Sequence, residues 1–297
     1  KKNYAASYNT AQQALNDAVA GTKTNRPADT DPTGQQVYDK AQQQYKDAQQ
    51  AMVEAAQGTT NNPNNLDPSA YQAGQTAYNQ IVNDVRSGKK ESSNDSPFNQ
   101  MSPLQQTLYN QQYDAIKAKY DAGQQAALSG QAAPSDPQAL AGYNDAKDGF
   151  NNAQVSDTEK NSPAYKAGQA AKTDEQAGQQ AAMSDSNAQP TDKDSQAKKD
   201  GLQATKDAYA AASGQQAPLT ADQLAQKSLP YQDAYKAAQN NANNTVAQAE
   251  ADYKNGTTAN KPQGNGVDAA AYKKVQNDAA AGANAASQPG SADTPDA

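Results

Sequence analysis

The chain has 297 residues and a formal net charge of −7 at pH 7, and it contains no cysteine, histidine or tryptophan. Without cysteine it forms no disulfide, and without histidine it lacks the commonest general base and metal ligand. The acidic balance argues against nucleic acid as a partner, because the phosphate backbone attracts basic patches. No apolar run approaches the ~18 residues of a membrane span, so we expect no direct membrane insertion.

The apolar inventory is small. Leu, Ile, Val and Phe together contribute 23 of the 297 residues, whereas Ala and Gln are abundant. Such a composition fits either disorder or long helices that pack through small residues, because Ala and Gln are strong helix formers. Regularly placed signals for helix starts and helix ends favour long helices.

Helix starts are marked by an Asp or Ser followed at once by Pro. This pairing is typical of an N-cap with proline at the first helical position, where the missing N–H costs nothing. Helix ends are marked by glycines that precede Thr-, Asn- and Pro-rich loops, as a left-handed C-cap requires. The starts are Asp31-Pro32, Asp67-Pro68, Ser102-Pro103, Asp136-Pro137 and Ser162-Pro163, and the ends are Gly21, Gly58, Gly88, Gly130, Gly214 and Gly256.

This punctuation predicts nine helices and one short extra turn. In chain order the helices span residues 2–21, 32–58, 68–88, 103–130, 137–152, 163–183, 193–214, 230–256 and 267–287, and the turn spans 221–228.

Large side chains recur seven residues apart within these helices. Ala or Gly stands between them, which predicts a narrow seam that lets helix backbones approach closely. We expect the paired residues to be core and Tyr8, Tyr231 and Tyr253, which fit the seam less well, to be exposed. The pairs are Tyr38/Tyr45, Tyr71/Tyr78, Tyr113/Tyr120, Tyr143/Phe150 and Leu202/Tyr209.

The helices recur as a longer unit. Asp31…Tyr38…Tyr45 corresponds to Asp136…Tyr143…Phe150 at an offset of 105 residues. We predict three helical repeat units, at 1–96, 97–190 and a diverged 191–297. The expected fold is all-α, with tandem three-helix bundle-like repeats that form an elongated helical array.

No constellation of catalytic residues is evident. The carboxylates fall at predicted caps, in first turns or on polar faces, so we predict no enzyme, no cofactor and no metal site. Residues 29–40 begin like a calcium loop but end in Lys40 where the loop needs Glu. We therefore interpret Asp31 as a helix cap.

Tyrosine is the one large side chain present in number, with 16 copies. Aromatic faces beside amides suit carbohydrate, so matching tyrosines and glutamines in the repeats are candidate ligand-binding residues. They are Tyr71 with Gln75 and Tyr165 with Gln169. The alternative interpretation places these tyrosines in the core, with each hydroxyl reaching the edge of the seam.

The pattern Tyr-x-x-Gly-Gln-x-Ala at Tyr71–Ala77 and Tyr165–Ala171, with the Ala/Gln/Asn/Asp/Tyr bias, resembles repeat regions of Gram-positive cell-surface proteins. Lactobacillus-type adhesins and aggregation proteins are the nearest in character. The resemblance implies an extracellular protein of the bacterial cell surface or cell wall, with a role as an adhesin stalk or adhesion repeat. It carries over no catalytic residues.

Three functions remain open. The first is a non-enzymatic stalk or adhesion repeat. The second is a helical module that binds carbohydrates, cell-wall polymers or mucin, which predicts exposed tyrosines beside Asn or Gln. The third is self-association through the Ala/Tyr seams, which a concentration-independent molecular mass would exclude.

Overall fold

The computed structural model describes residues 2–92 and 94–287. Throughout these ranges the regular elements are α-helices, and no strand is present. The expected all-α class is therefore confirmed. The finer prediction of tandem three-helix bundle repeats stays a prediction.

Nine long helices and three short ones make up the described part of the chain. The long helices begin and end within three residues of the predicted limits, and the predicted turn is the short helix α10. The other two short helices, α4 and α7, were not predicted. In chain order the elements are α1 (Lys2–Ala20), α2 (Pro32–Ala56), α3 (Pro68–Ser87), α4 (Ser96–Gln100), α5 (Pro103–Leu128), α6 (Pro137–Phe150), α7 (Asp157–Lys160), α8 (Pro163–Ser184), α9 (Gln196–Ala212), α10 (Ala221–Ala225), α11 (Leu229–Asn255) and α12 (Val267–Ser287).

The five predicted N-caps all form. Each Asp or Ser side chain accepts a hydrogen bond from a backbone N–H of the first turn, which satisfies a donor that the helix itself leaves unpaired. Asp31, for example, accepts from the N–H of Gly34 over 2.8 Å, which is the cap contact that the sequence predicts. The others are Asp67, Ser102, Asp136 and Ser162.

The six predicted C-cap glycines also adopt the backbone conformation that the sequence requires. All have positive φ, between 63° and 76°. At Gly88 and Gly256 this left-handed residue ends α3 and α11, and its N–H bonds to carbonyls of the last turn.

The fold divides into two compact units. Within the described ranges, the first comprises residues 2–92, 94–125, 133–149 and 153–166, and the second comprises 126–132, 150–152 and 167–287. The predicted division into units at 1–96, 97–190 and 191–297 rests on sequence repetition and stays a prediction.

The core of the second unit is built from alanine and tyrosine. Helices α9, α11 and α12 pack on one another there. Their shared cluster contains one leucine and one valine, and the other members are Ala182, Ala204, Ala208, Tyr209, Tyr231, Ala234, Tyr235, Ala238, Ala242 and Ala271. The expected small-residue seam is therefore present.

Two helix pairs approach so closely that each partner needs a glycine at the contact. In the first unit, a Cβ at Gly123 of α5 would overlap the carbonyl of Ala139, and one at Gly142 of α6 would overlap that of Tyr120. In the second unit, Gly178 of α8 and Gly201 of α9 are related in the same reciprocal way. Backbone against backbone leaves no room for a side chain at these crossings.

The predicted core positions are buried with one partial exception. Tyr143 is half-buried, whereas the other nine paired residues lie in the interior. The expectation for Tyr231 was wrong, because this ring is 6% exposed and packs against Tyr235 with centroids 6.3 Å apart. Tyr253 is half-buried, and Tyr8 is 49% exposed as expected.

Candidate ligand-binding cleft

Tyr71 and Gln75 close the loop that precedes their own helix. The Tyr71 ring is 7% exposed, and its hydroxyl donates to the carbonyl of Thr59 over 3.4 Å. The Gln75 amide donates to the Tyr71 hydroxyl over 2.7 Å and to the same carbonyl over 3.1 Å. This arrangement fixes the α2–α3 connection.

Tyr165 occupies the equivalent position in the next copy of the pattern. Its ring is 3% exposed, and its hydroxyl donates over 3.1 Å to the carbonyl of Ala153, which is 12 residues earlier, as Thr59 is from Tyr71. Gln169 is exposed and does not repeat the contact of Gln75. Burial of both rings favours their interpretation as packing residues, and the ligand-binding assignment of the four residues stays a prediction.

Five other buried tyrosines donate a hydroxyl hydrogen bond to an aspartate. The pairs are Tyr38–Asp17 at 2.5 Å, Tyr109–Asp84 at 2.8 Å, Tyr120–Asp145 at 2.6 Å, Tyr272–Asp252 at 2.6 Å, and Tyr231–Asp207. Four of these aspartates are buried, namely Asp17, Asp84, Asp145 and Asp252. The expectation that carboxylates lie at caps, in first turns or on polar faces was wrong for them, because tyrosines of neighbouring helices cover them and supply the hydrogen bond.

Two of the buried aspartates also organise the loop after their helix. Asp17 accepts from the backbone and side-chain N–H groups of Asn25, both at 2.7 Å, and Asp252 accepts from the same groups of Asn260, both at 2.8 Å. The sequence signal is the spacing Asp-x₃-Gly-x₃-Asn, which occurs at both places. These carboxylates therefore have structural partners on every side.

The same hydrogen bonds shift the titration of the groups that share them. The Tyr38 hydroxyl, followed by the donors of Asn25, holds the pKa of Asp17 below its ordinary value. Burial, reinforced by the bond to Asp17, raises the pKa of Tyr38 to about 12. Tyr272 and Asp252 show the same pair of shifts, and the pKa of Tyr272 is also about 12.

Asp145 holds a second partner besides tyrosine. Arg86 of α3 donates to it through Nε at 3.1 Å and through Nη2 at 2.6 Å. The carboxylate is 2% exposed and the guanidinium 30% exposed. This site joins α3, α5 and α6 of the first unit, and both carboxylate oxygens of Asp145 accept hydrogen bonds within the fold.

An open cleft of about 510 Å³ lies in the first unit, between α1, α2, α3 and the start of α5. Tyr4 and Tyr8 stand on one face of α1 and are 79% and 49% exposed. The same face continues to Leu15, which is buried, so the apolar stripe of α1 emerges at this cleft. We call this site the tyrosine cleft. It is lined by Tyr4, Tyr8, Ala11, Gln12, Leu15, Ala41, Gln44, Ser69, Gln72, Ala73, Ser102, Pro103, Leu104 and Gln105.

The polar lining of the tyrosine cleft is neutral. None of the described residues that line it carries a charge, and its polar groups are amides and hydroxyls. Gln44 is held by the Ser69 hydroxyl at 3.2 Å, whereas Gln12 and Gln72 have no partner within the described chain. The exposure of Tyr8 could be predicted from the sequence, whereas its place beside Tyr4 in a cleft bounded by α2, α3 and α5 could not.

A second cleft of about 340 Å³ lies between α2, α5 and α6 of the same unit. Its polar groups are largely paired: Lys119 and Asp136 form a salt bridge at 2.8 Å, and Gln138 donates to the Tyr78 hydroxyl. This cleft offers a ligand fewer open donors and acceptors than the tyrosine cleft does.

The described residues contain no group of three or more carboxylates placed to hold a metal ion. None of their helices has the length and apolar character needed to cross a membrane. No protein-family model matches the sequence, no curated protein is detectably similar to it, and no solved structure matches its fold.

Proposed function

We propose that this chain is a non-enzymatic, extracellular region of a bacterial cell-surface protein, and that its helical repeats act as an adhesin stalk. The observation that carries the proposal is that buried carboxylates are hydrogen-bonded to other groups of the fold. Carboxylates such as Asp17 and Asp252, which a catalytic or metal site would need free, are committed to tyrosines and loop asparagines. Their role is to fix the connection between consecutive helices.

A stalk needs such fixed connections because its core is thin. With few large aliphatic side chains, neighbouring helices gain little from area alone, and directional hydrogen bonds to charged groups contribute more per contact. The glycine pairs that bring helix backbones together, and the capped helix ends, serve the same purpose. The resemblance to repeat regions of Gram-positive surface proteins accords with this role.

Small-angle X-ray scattering tests the stalk. A compact globule of 297 residues has a radius of gyration of about 19 Å. The proposal expects a clearly larger value that is independent of concentration, with a helical circular dichroism spectrum to show that the chain is folded. A value near that of the globule, with the chain folded, contradicts the proposal, and a rise with concentration indicates self-association instead.

A second candidate function is recognition of carbohydrates, cell-wall polymers or mucin. The observation that favours it is the tyrosine cleft, which has exposed aromatic side chains beside amides that have no partner in the described part of the chain. Binding of the labelled chain to Gram-positive cells, purified cell-wall polymers, mucin and soluble glycans tests it. Saturable binding to one class supports recognition, and the absence of binding by the folded chain leaves the stalk.

A further inference from the structure

We infer that the tyrosine cleft is a binding site for a neutral oligosaccharide, with Tyr4 and Tyr8 as its stacking platform and Gln12 and Gln72 as its hydrogen-bonding groups. The inference rests on the carbohydrate-recognition candidate proposed above and gives it a place and a ligand class. It is independent of whether the chain is a stalk.

Tyr4 and Tyr8 differ from the buried tyrosines in their surroundings. Buried tyrosines such as Tyr38 and Tyr165 bond their hydroxyls to groups of the fold, whereas the hydroxyls of Tyr4 and Tyr8 have no partner within the described residues. Their rings are 79% and 49% exposed. Aromatic side chains left in water beside a concave surface are typical of a recognition site.

The spacing of the two rings suits a chain of linked sugars. Tyr4 and Tyr8 are one helical turn apart, so they are separated by about 6 Å along the axis of α1. Each tyrosine combines an apolar ring with a polar hydroxyl. A chain of linked sugar rings has the matching character, because each ring has a C–H face and a rim of hydroxyls. A ligand of two or more rings can therefore contact both tyrosines.

The polar groups that line the cleft suit neutral hydroxyl groups. Gln12 and Gln72 each offer an amide donor and an amide acceptor, which suits hydroxyl groups that both donate and accept. No charged side chain of the described lining is present to pair with an ionised ligand. The net charge of −7 further disfavours anionic polymers. These features select neutral glycans over uronic acids, phosphate-bearing polymers and cationic peptides.

The walls of the tyrosine cleft are fixed by contacts within the fold. Leu15 and Ala41 form a buried floor, at 5% and 7% exposure. Gln44 is tied to Ser69 on one wall. On another wall Ser102 and Gln105 exchange hydrogen bonds in a reciprocal cap that sets the start of α5. A preformed site loses less entropy on binding. The cleft volume, about 510 Å³, lies within the usual range for small-ligand sites.

The experiment uses a glycan array that carries both neutral and anionic glycans, and the array is probed with the full labelled chain. It is followed by titration calorimetry with the best neutral oligosaccharide. The variants are Y4A/Y8A and Q12A/Q72A. The matched control is V53A, which removes a 51% exposed apolar side chain from α2 at the second cleft. Thermal unfolding of each variant shows whether it is folded.

We expect saturable binding of neutral glycans, a loss of at least tenfold in affinity for Y4A/Y8A, a smaller loss for Q12A/Q72A, and no change for V53A. Exposed positions on one helix face leave the folded state intact, so the loss is not a folding defect. The inference is overturned if no neutral glycan binds, if anionic glycans bind instead, or if Y4A/Y8A retains its affinity. Failure of the stalk proposal is seen separately, in the radius of gyration.

Discussion

Tyr120 donates its hydroxyl hydrogen bond to Asp145 over 2.6 Å, and both side chains are almost fully buried. The pair joins α5 to α6 next to the glycine crossing of the same two helices. Substitutions at this pair therefore measure how much a tyrosine–aspartate hydrogen bond contributes to the stability of the fold.

Tyr120→Phe should lower the free energy of unfolding by about 1.5–3 kcal/mol, because the lost hydrogen bond has a charged acceptor. Tyr4→Phe is the matched control, since it removes a hydroxyl that has no partner in the described chain. Urea unfolding followed by circular dichroism measures both. Equal stability of the two variants would show that the buried hydroxyl contributes nothing net.

Asp145→Ala should be more damaging, because it leaves the Arg86 guanidinium and the Tyr120 hydroxyl without their acceptor. Loss of one partner from a buried ion pair costs about 3–5 kcal/mol. We expect the lower end here, since solvent reaches the 30% exposed guanidinium. Asp114→Ala, which breaks the exposed pair with Lys90, should cost no more than about 1 kcal/mol. A similar loss in both variants, in the same urea experiment, would contradict the assignment.

Glycine to alanine substitution should have opposite effects at two helical positions. At Gly123 the added Cβ overlaps a backbone carbonyl of α6, and the crossing must open, so we expect a loss of about 1–3 kcal/mol. At Gly282 of α12 nothing lies within 4 Å of the new Cβ, and the higher helix propensity of alanine should stabilise by about 0.5–1 kcal/mol. Thermal unfolding midpoints decide the sign, and a shift in the same direction at both sites would refute the close-packing argument.

High pH should unfold the chain through its buried tyrosines. The folded-state pKa of Tyr38 and Tyr272 is about 12, above the ordinary value of 10.0. A raised pKa means that the neutral ring stabilises the fold fully below pH 10, and that this stabilisation is lost as the pH rises toward 12. Tyrosinate absorbance and circular dichroism, recorded together between pH 9 and 13, should show helix loss accompanying ionisation of these rings.

The double variant Tyr38→Phe/Tyr272→Phe serves as the comparison for that titration. It lacks two of the groups whose ionisation opposes folding, so its stability should fall less steeply between pH 10 and 12 than that of the parent chain. An unchanged slope would mean that these two tyrosines do not drive alkaline unfolding.

The helices could be predicted from the sequence because their signals are local. A cap such as Asp67 followed by Pro68 acts within one turn, and a glycine such as Gly88 acts on its own backbone angle, so neither depends on distant partners. The short helix at 157–160 was missed because it has no apolar period, although Ser156 caps it by the same rule.

The candidate site could not be predicted in the same way, because burial depends on which helix covers a residue. Tyr71 and Tyr4 are both helical tyrosines on apolar stripes, yet α2 and its loop cover the first while the second remains in the open cleft. From the sequence alone Asp17 is predicted to lie on a polar helix face, and only the structure shows that Tyr38 covers it. The sequence indicates the structural role of Asp17 only through its spacing to Asn25, which Asp252 and Asn260 repeat.

The alanine and tyrosine core also determines how stability varies with temperature. The heat-capacity change of unfolding grows with exposed apolar area and falls with exposed polar area. Unfolding this chain exposes few large aliphatic side chains and many amides, hydroxyls and carboxylates. The free energy of unfolding should therefore vary little with temperature, so that the fold is about equally stable at low and at moderate temperatures.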